Sequence, residues 1–189
     1  MDDRATPSRW FDRAPGNTDN WPEQEGQVVE AWKGIDGLQR AQWADASQEE
    51  RLATLQKAEN GAANIQGRDP MPVTLDTEAR PEEKGYYDGE RIRIGEYSLN
   101  NDDVSEVANT LAHEGRHAYQ DYAIEHPGFH SDGDDVRSWR ENMQPGNYVE
   151  PDDQRFNYDE YRNQPIERDA FRYGDTIEQG VYGTGRDNE

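Results

Sequence analysis

The sequence predicts an α+β domain that is rich in helix and has a small antiparallel sheet beside a central helix. The 189 residues suffice for one domain with a real core but not for two comfortable ones. From Asp102 to Tyr122 there is no proline, and apolar residues recur at three- and four-residue intervals, which predicts the central helix. Just before it, residues 86–94 combine an Asp-Gly turn with isoleucines that alternate with arginines. This pattern is typical of a β-hairpin.

The domain boundaries follow from the composition of the two ends. Residues 1–20 are polar and contain prolines and a glycine, so we expect a flexible tail. Residues 21–180 form the expected single domain. The glycine-rich end from Gly180 on is expected to fray, leaving residues 181–189 as a second tail.

Between the first tail and the hairpin, the pattern predicts two helices and a strand. Apolar residues between Gln27 and Trp43 favour a first helix, which Gly34 and Gly37 weaken. Ser47-Gln-Glu-Glu50 is a capping box, so a second helix should follow it and end at Gly67. Residues 71–77 read as a short strand.

The central helix is expected to take Asn100 or Asn101 as its cap. Residues 126–163 are rich in Pro, Gly, Asp and Asn and predict a long loop. Its aspartates at 132, 134 and 135 lack the spacing of a calcium loop and are interpreted as solvated charge. A last helix should begin at Pro165.

The composition excludes several classes of function. A formal net charge of −21 repels nucleic acid, so we expect the protein not to bind it. The absence of cysteine excludes disulfides and thiolate ligands, so any metal must be held by His, Asp or Glu. No apolar run approaches 18 residues and no charged-then-apolar leader is present, so we expect neither a membrane span nor a secretory signal of its own.

The central helix carries the motif His113-Glu114-Gly115-Arg-His117. Histidines four residues apart lie on one face of a helix, where both imidazoles can bind one zinc ion, and Glu114 beside them can act as general base on water that zinc activates. A single buried histidine is more often a hydrogen-bonded core residue. Here, however, two of only four histidines stand in this spacing with the glutamate. Gly115 in mid-helix costs about 1 kcal/mol relative to alanine, which indicates a close approach there.

Two histidines do not complete a catalytic zinc site, which usually has three protein ligands. A third motif histidine is ruled out because Ala123 occupies its position. Glu167, near the start of the last helix, is the best candidate, followed by His130 and then Asp169. His126 is too close to the end of the same helix to fold back.

With Glu167-Arg-Asp-Ala downstream, the motif resembles the gluzincin group of metallopeptidases, in which two motif histidines and a glutamate on a later helix hold zinc. More narrowly, four segments of the chain, in their order, are similar to zincin-type C-terminal toxin domains of bacterial polymorphic toxins and secreted effectors. These segments are SQEERLATLQKAENGAANIQGR, GYYDGERIRIG, TLAHEGRHAYQDYA and QPIERDAF. That resemblance covers residues 46–173. It departs at Phe171, where some families place an aspartate that orients a ligand histidine; Asp169 or Asp121 is expected to replace it.

The resemblance implies a zincin-like fold and a zinc metalloendopeptidase with one Zn²⁺ per chain. It implies that His113, His117 and Glu167 are the metal ligands and that Glu114 is the catalytic base. The oxyanion donor stays open among Tyr173, His130 and Tyr161, with Tyr173 taken as the catalytic candidate.

The same resemblance implies a biological setting. The substrate would be a protein or peptide, and a toxin of this kind would have a cognate immunity protein. The protein would be made in the bacterial cytoplasm, exported by a dedicated secretion system and active in a target cell.

Two other classes of function stay open on the sequence. One is a non-catalytic, zinc-stabilised protein-binding module, which predicts a closed site with His130 as a fourth ligand. The other is a protein that binds calcium or salt through its acidic surface and retains the motif as a vestige.

Overall fold

A computed structural model describes residues 21–150 and 158–183. The predicted tail at residues 1–20 lies outside this part of the chain, as do residues 184–189. The helices of the described part are α1 (Trp21–Lys33), α2 (Arg40–Asp45), α3 (Gln48–Gln66), α4 (Glu96–Leu99), α5 (Val104–Glu125), α6 (Gly133–Asn142), α7 (Tyr158–Arg162) and α8 (Pro165–Tyr182), with a 3-10 turn at Asp36–Leu38. The strands are β1 (Val73–Asp76), β2 (Gly85–Tyr87) and β3 (Ile92–Gly95).

The first predicted helix is divided, so its extent was wrong. Helix α1 ends at Lys33, and the chain passes through the 3-10 turn before α2 begins. Gly34 follows the end of α1, where glycine lowers the helical preference. At Gly37 a side chain would collide with Thr54 of α3, so glycine allows the turn to pack closely.

The capping signals of α3 are confirmed. The Ser47 side chain accepts a hydrogen bond from the Glu50 amide, and the Glu50 carboxylate accepts one from the Ser47 amide at 2.8 Å. The helix ends at Gly67, whose φ of +80° lies in the left-handed region that favours glycine.

The sheet has the strand order β1-β3-β2 and is mixed. The predicted hairpin is confirmed, because β2 pairs antiparallel with β3. The prediction of an antiparallel sheet is wrong for β1, which pairs parallel with β3 from Val73 opposite Ile92. From β1 the chain passes first to β2, at the opposite edge of the sheet, and only then to β3 in the middle. Strand β3 therefore runs parallel to β1. Ile92 and Ile94 of the central strand are fully buried.

Helix α5 begins two to three residues later than predicted, and its cap is Asp103 rather than Asn100 or Asn101. The Asp103 carboxylate accepts hydrogen bonds from the Ser105 amide at 3.0 Å and from its hydroxyl at 2.6 Å. Asn100 instead terminates the short helix α4, and Asn101 accepts a hydrogen bond from the Asp103 amide.

The predicted loop at residues 126–163 contains helices α6 and α7, so that prediction was wrong. Only Val136 and Trp139 of α6 are buried apolar residues, and two such positions give a weak periodic signal. The Asp132 side chain caps α6 by accepting from two backbone amides of its first turn. The aspartates at 134 and 135 add charge at the positive end of that helix.

Helix α8 starts at Pro165 as predicted and extends to Tyr182. Residues 180–182 are therefore helical, contrary to the expected fraying from Gly180. At Gly180 a side chain would collide with Val29 of α1, so α8 is packed and not free at this point.

The buried apolar residues of the described chain form two clusters. The larger one joins α1, α3, the sheet, α5 and α8. The smaller one consists of Tyr119, Ala123, Val136, Trp139 and Ile166. Helices α5 and α8 contribute residues to both clusters, so the packing of both clusters stabilises their relative position.

A buried ion pair explains the glycine of the motif. Glu59 and Arg68 meet at 2.7 Å with side chains 2% and 1% exposed, respectively, and Arg68 also donates to the Gly115 carbonyl at 3.2 Å. A Cβ at position 115 would lie 3.1 Å from the Glu59 carboxylate. The close approach predicted at Gly115 is confirmed.

Candidate metal centre

Helices α5 and α8 bring three of the predicted ligands together. His113 and His117 are one turn apart on α5, and Glu167 is in the first turn of α8. The two Nε2 atoms are 3.1 Å apart, and Glu167 Oε2 lies 3.3 Å from that of His113 and 3.5 Å from that of His117. In the described part of the chain these three are the one group of His, Asp and Glu side chains that could hold a metal ion.

The three side chains fit a metal ion. Ligand atoms about 2.0–2.1 Å from a tetrahedral ion are about 3.3 Å from one another, close to the three observed separations. The Glu167 side chain is 2% exposed, yet its Oε2 has no hydrogen-bond partner in the described residues. A buried carboxylate oxygen that faces two imidazole nitrogens needs a positive charge, which either a bound cation or a proton on one imidazole supplies.

Gln120 fixes the orientation of the His117 ring. Its amide nitrogen donates to the Ile166 carbonyl at 2.9 Å and to Asp169 Oδ2 at 2.8 Å, which leaves its oxygen 2.9 Å from His117 Nδ1. Since amide oxygen only accepts, Nδ1 must donate, and Nε2 is free for a metal. Gln120 is not among the predicted site residues, although its position three residues after His117 places it on the same helix face.

Asp169 and Asp121 do not replace the aspartate that the resemblance expects at position 171. Asp169 accepts from Arg116 at 2.7 Å and reaches His117 only through Gln120. Asp121 accepts from Tyr87 instead.

At position 171 itself, the Phe171 ring lies 4.5 Å from the His113 ring between centroids. His113 Nδ1 has no hydrogen-bond partner within the described ranges. Packing against Phe171, rather than a hydrogen bond, therefore orients this imidazole.

Tyr148 holds the other oxygen of Glu167. Its hydroxyl donates to Glu167 Oε1 at 2.7 Å, which directs Oε2 towards the histidines. Tyr148 and Glu167 are nineteen positions apart, and the sequence around Tyr148 has no periodicity, so the sequence contains no signal for this contact.

The Gln164 side chain fastens the segment that carries Tyr148. Its oxygen accepts from the Val149 amide at 2.7 Å and from Asn142 Nδ2 at 3.1 Å. Its nitrogen donates to the carbonyls of Val149 and Tyr161 at 3.1 and 3.2 Å. This buried amide therefore ties the end of α6 and the last turn of α7 to the start of α8, directly beside Glu167.

Tyr161 and Glu114 also lie at the cluster. Burial, followed by the negative charge of Glu167, raises the pKa of Tyr161, and the charge of Glu114 adds to that effect. The Glu114 carboxylate also raises the pKa of His117, and Glu114 is only 8% exposed. The Tyr161 hydroxyl is hydrogen-bonded to Glu167, and the charge of Glu114, the residue after His113, acts on both Tyr161 and His117.

Two predicted site residues are not brought to the cluster. Tyr173 is buried in the larger core, where its hydroxyl accepts from Gln66 at 3.0 Å. His130 lies at the smaller core, with Nδ1 3.0 Å from the Tyr119 hydroxyl. The closed four-ligand site expected of a binding module with His130 is therefore not assembled in the described residues.

The protonation of the cluster depends on the metal. Burial disfavours the charged imidazole, but the Glu167 carboxylate outweighs it and raises the pKa of His117 to about 9. Without a metal, His117 is thus an imidazolium at neutral pH, paired with Glu167. A metal ion must displace this proton, so binding releases it and strengthens as the pH rises towards 9.

Fold and site together define a helix-rich α+β protein with a buried two-histidine, one-glutamate cluster that could hold a metal ion. No protein-family model, curated protein or solved structure matches the chain. Among the described helices, none combines the length and apolar character needed to cross a membrane.

Proposed function

We propose that the protein is a zinc-dependent metalloendopeptidase of the gluzincin type, with a zincin-like fold. The observation that carries the proposal is the convergence of His113, His117 and Glu167 at 3.1–3.5 Å. Glu114 follows His113 in the chain, and its charge acts on His117. Three protein ligands leave a position open, as in catalytic zinc sites. The resemblance of the sequence extends the proposal to a bacterial toxin or effector domain that is exported to a target cell and has a cognate immunity protein.

Zinc suits this donor set better than the other common metals. Two imidazoles and one carboxylate are ligands that zinc accepts in tetrahedral sites, whereas calcium and magnesium prefer all-oxygen sites. When bound, zinc would supply Lewis-acid activation of water and of the scissile carbonyl.

The residues of the chain account for the movement of protons. Glu114 takes a proton from the attacking water and later transfers it to the leaving amine. The Tyr161 hydroxyl, kept protonated by burial and nearby carboxylates, donates to the carbonyl oxygen as negative charge develops there. Tyr148 and Gln120 hold Glu167 and His117 in the orientation that binding requires.

Removal of the metal tests the proposal. Purified protein should contain about one zinc per chain and should cleave an unfolded protein substrate. Chelation should abolish cleavage, and zinc, but not magnesium or calcium, should restore it. Mass spectrometry of the products should show new termini from peptide-bond hydrolysis. A protein that cannot bind zinc, or that binds it and cleaves no peptide bond in a broad peptide library, would contradict the proposal.

Two tyrosine variants separate the oxyanion donors. Tyr161→Phe should lower kcat at least about tenfold with KM and zinc content nearly unchanged, because its hydroxyl acts on charge that develops in the transition state. Tyr173→Phe is the matched control, since its hydroxyl bonds to Gln66 in the core, and it should change stability more than kcat. The opposite ranking in steady-state kinetics would return the role to Tyr173.

A further inference from the structure

A cavity of about 330 Å³ opens beside the metal centre, between the end of α7 and the outer face of α8. Three arginines line it, at positions 162, 168 and 172. Asp175 is the one acidic residue of the lining. A concentration of guanidinium groups in one cavity is unexpected in a chain with a net charge of −21.

Among the described residues, two of the three guanidinium groups in the cavity have carboxylate partners. Arg172 is 2.8 Å from Glu25 and 3.3 Å from Asp169, and Arg162 is 3.5 Å from Asp175. No side-chain partner of Arg168 is found within residues 21–150 and 158–183, although the surface is rich in carboxylates. The Arg168 guanidinium therefore suits one monoanion, because a guanidinium matches the fork of a carboxylate.

The cavity is adjacent to the cluster of ligands. Phe171 is a shared wall: its ring packs against His113, and the Arg162 guanidinium lies 4.2 Å from its centroid. At the other end, Asn109, which is one turn before His113 on α5, donates to Asp175 at 3.2 Å. A peptide positioned at the metal centre can therefore place a neighbouring group in the cavity.

We propose that this cavity is a subsite for one carboxylate of the substrate, with Arg168 as its principal contact. The proposal rests on the proposed function and names its substrate class: peptides with an acidic group close to the scissile bond. The carboxylate could be an Asp or Glu side chain or the C-terminus of the peptide. The cavity volume is in the range of small-ligand sites, about 300–1,000 Å³, and accommodates a single side chain.

The test is a titration of the arginine side chains, observed by their ¹H–¹⁵N Nε signals in metal-free and zinc-loaded protein. Three probes distinguish the sources: N-acetyl-glutamate N-methylamide, its neutral glutamine analogue, and N-acetyl-leucine with a free C-terminal carboxylate. The Arg168 signal, and with it those of Arg162 and Arg172, should shift with at least one charged probe and not with the neutral one. Persistence of the shift without zinc excludes binding of the carboxylate to the metal itself.

Arg168→Gln should weaken this binding about tenfold or more, the loss expected for one charge-assisted hydrogen bond. The matched control is Arg137→Gln on α6, an exposed arginine paired with Asp134 at 3.0 Å, which should leave the affinity unchanged. Equal shifts with charged and neutral probes, or an affinity that Arg168→Gln does not alter, would overturn the subsite. Anion binding without hydrolysis of any peptide would instead count against the proposed function alone.

Discussion

Glu114→Gln should lower the rate of peptide-bond hydrolysis at least about 100-fold while zinc content and melting temperature stay near those of the wild type. Glutamine keeps the shape of the side chain and removes the base that accepts the proton of the attacking water. The measurement is kcat/KM on a protein substrate together with metal analysis of the same samples. Glu125→Gln, an exposed substitution at the end of the same helix, is the control and should retain full activity.

The same variant tests the expectation of a toxin. Expressed in a susceptible bacterial cytoplasm, the wild type should stop growth, and Glu114→Gln should be harmless. Full hydrolytic activity in Glu114→Gln with zinc bound would show that the helix holds metal for structure only. Equal toxicity of the two proteins would separate toxicity from hydrolysis.

Glu167→Ala should weaken zinc binding more than about 100-fold. Loss of a residue that only orients a ligand costs about 10–100-fold, and Glu167 is expected to be a ligand itself. Its Oε2 is one of the three ligand atoms and makes no hydrogen bond within the described residues. Competition with a chromogenic chelator measures the affinity directly. In the metal-free protein the same variant should lower the pKa of His117, because Glu167 stabilises its imidazolium.

Asp169→Asn is the comparison for Glu167→Ala. Asparagine keeps an oxygen that can accept from the buried Arg116. Alanine would leave that guanidinium without a side-chain acceptor at this position and destabilise the folded protein. Since Asp169 reaches His117 only through Gln120, zinc affinity should fall about 10–100-fold at most. A larger loss with Asp169→Asn than with Glu167→Ala would assign the third ligand to Asp169.

The features that the sequence determined by itself are those set by covalent spacing and local backbone preference. Residues four apart on a helix share a face whatever surrounds the helix, so His113 and His117 were predictable as a pair. The capping box at Ser47 and the start of α8 at Pro165 depend on contacts within one turn. Gly115 indicated a close approach, although the sequence could not name Glu59 and Arg68 as its cause.

The tertiary structure decided everything that depends on how α8 packs against α5. It brought Glu167 rather than His130 or Asp169 to the two histidines, across about fifty residues of chain. It also placed Tyr161 at the cluster and Tyr173 in the core, although both are tyrosines near the same helix. The face of α8 that packs against α5 depends on side-chain contacts in both apolar clusters. These contacts involve residues far apart in the chain, so no local pattern of residues predicts them.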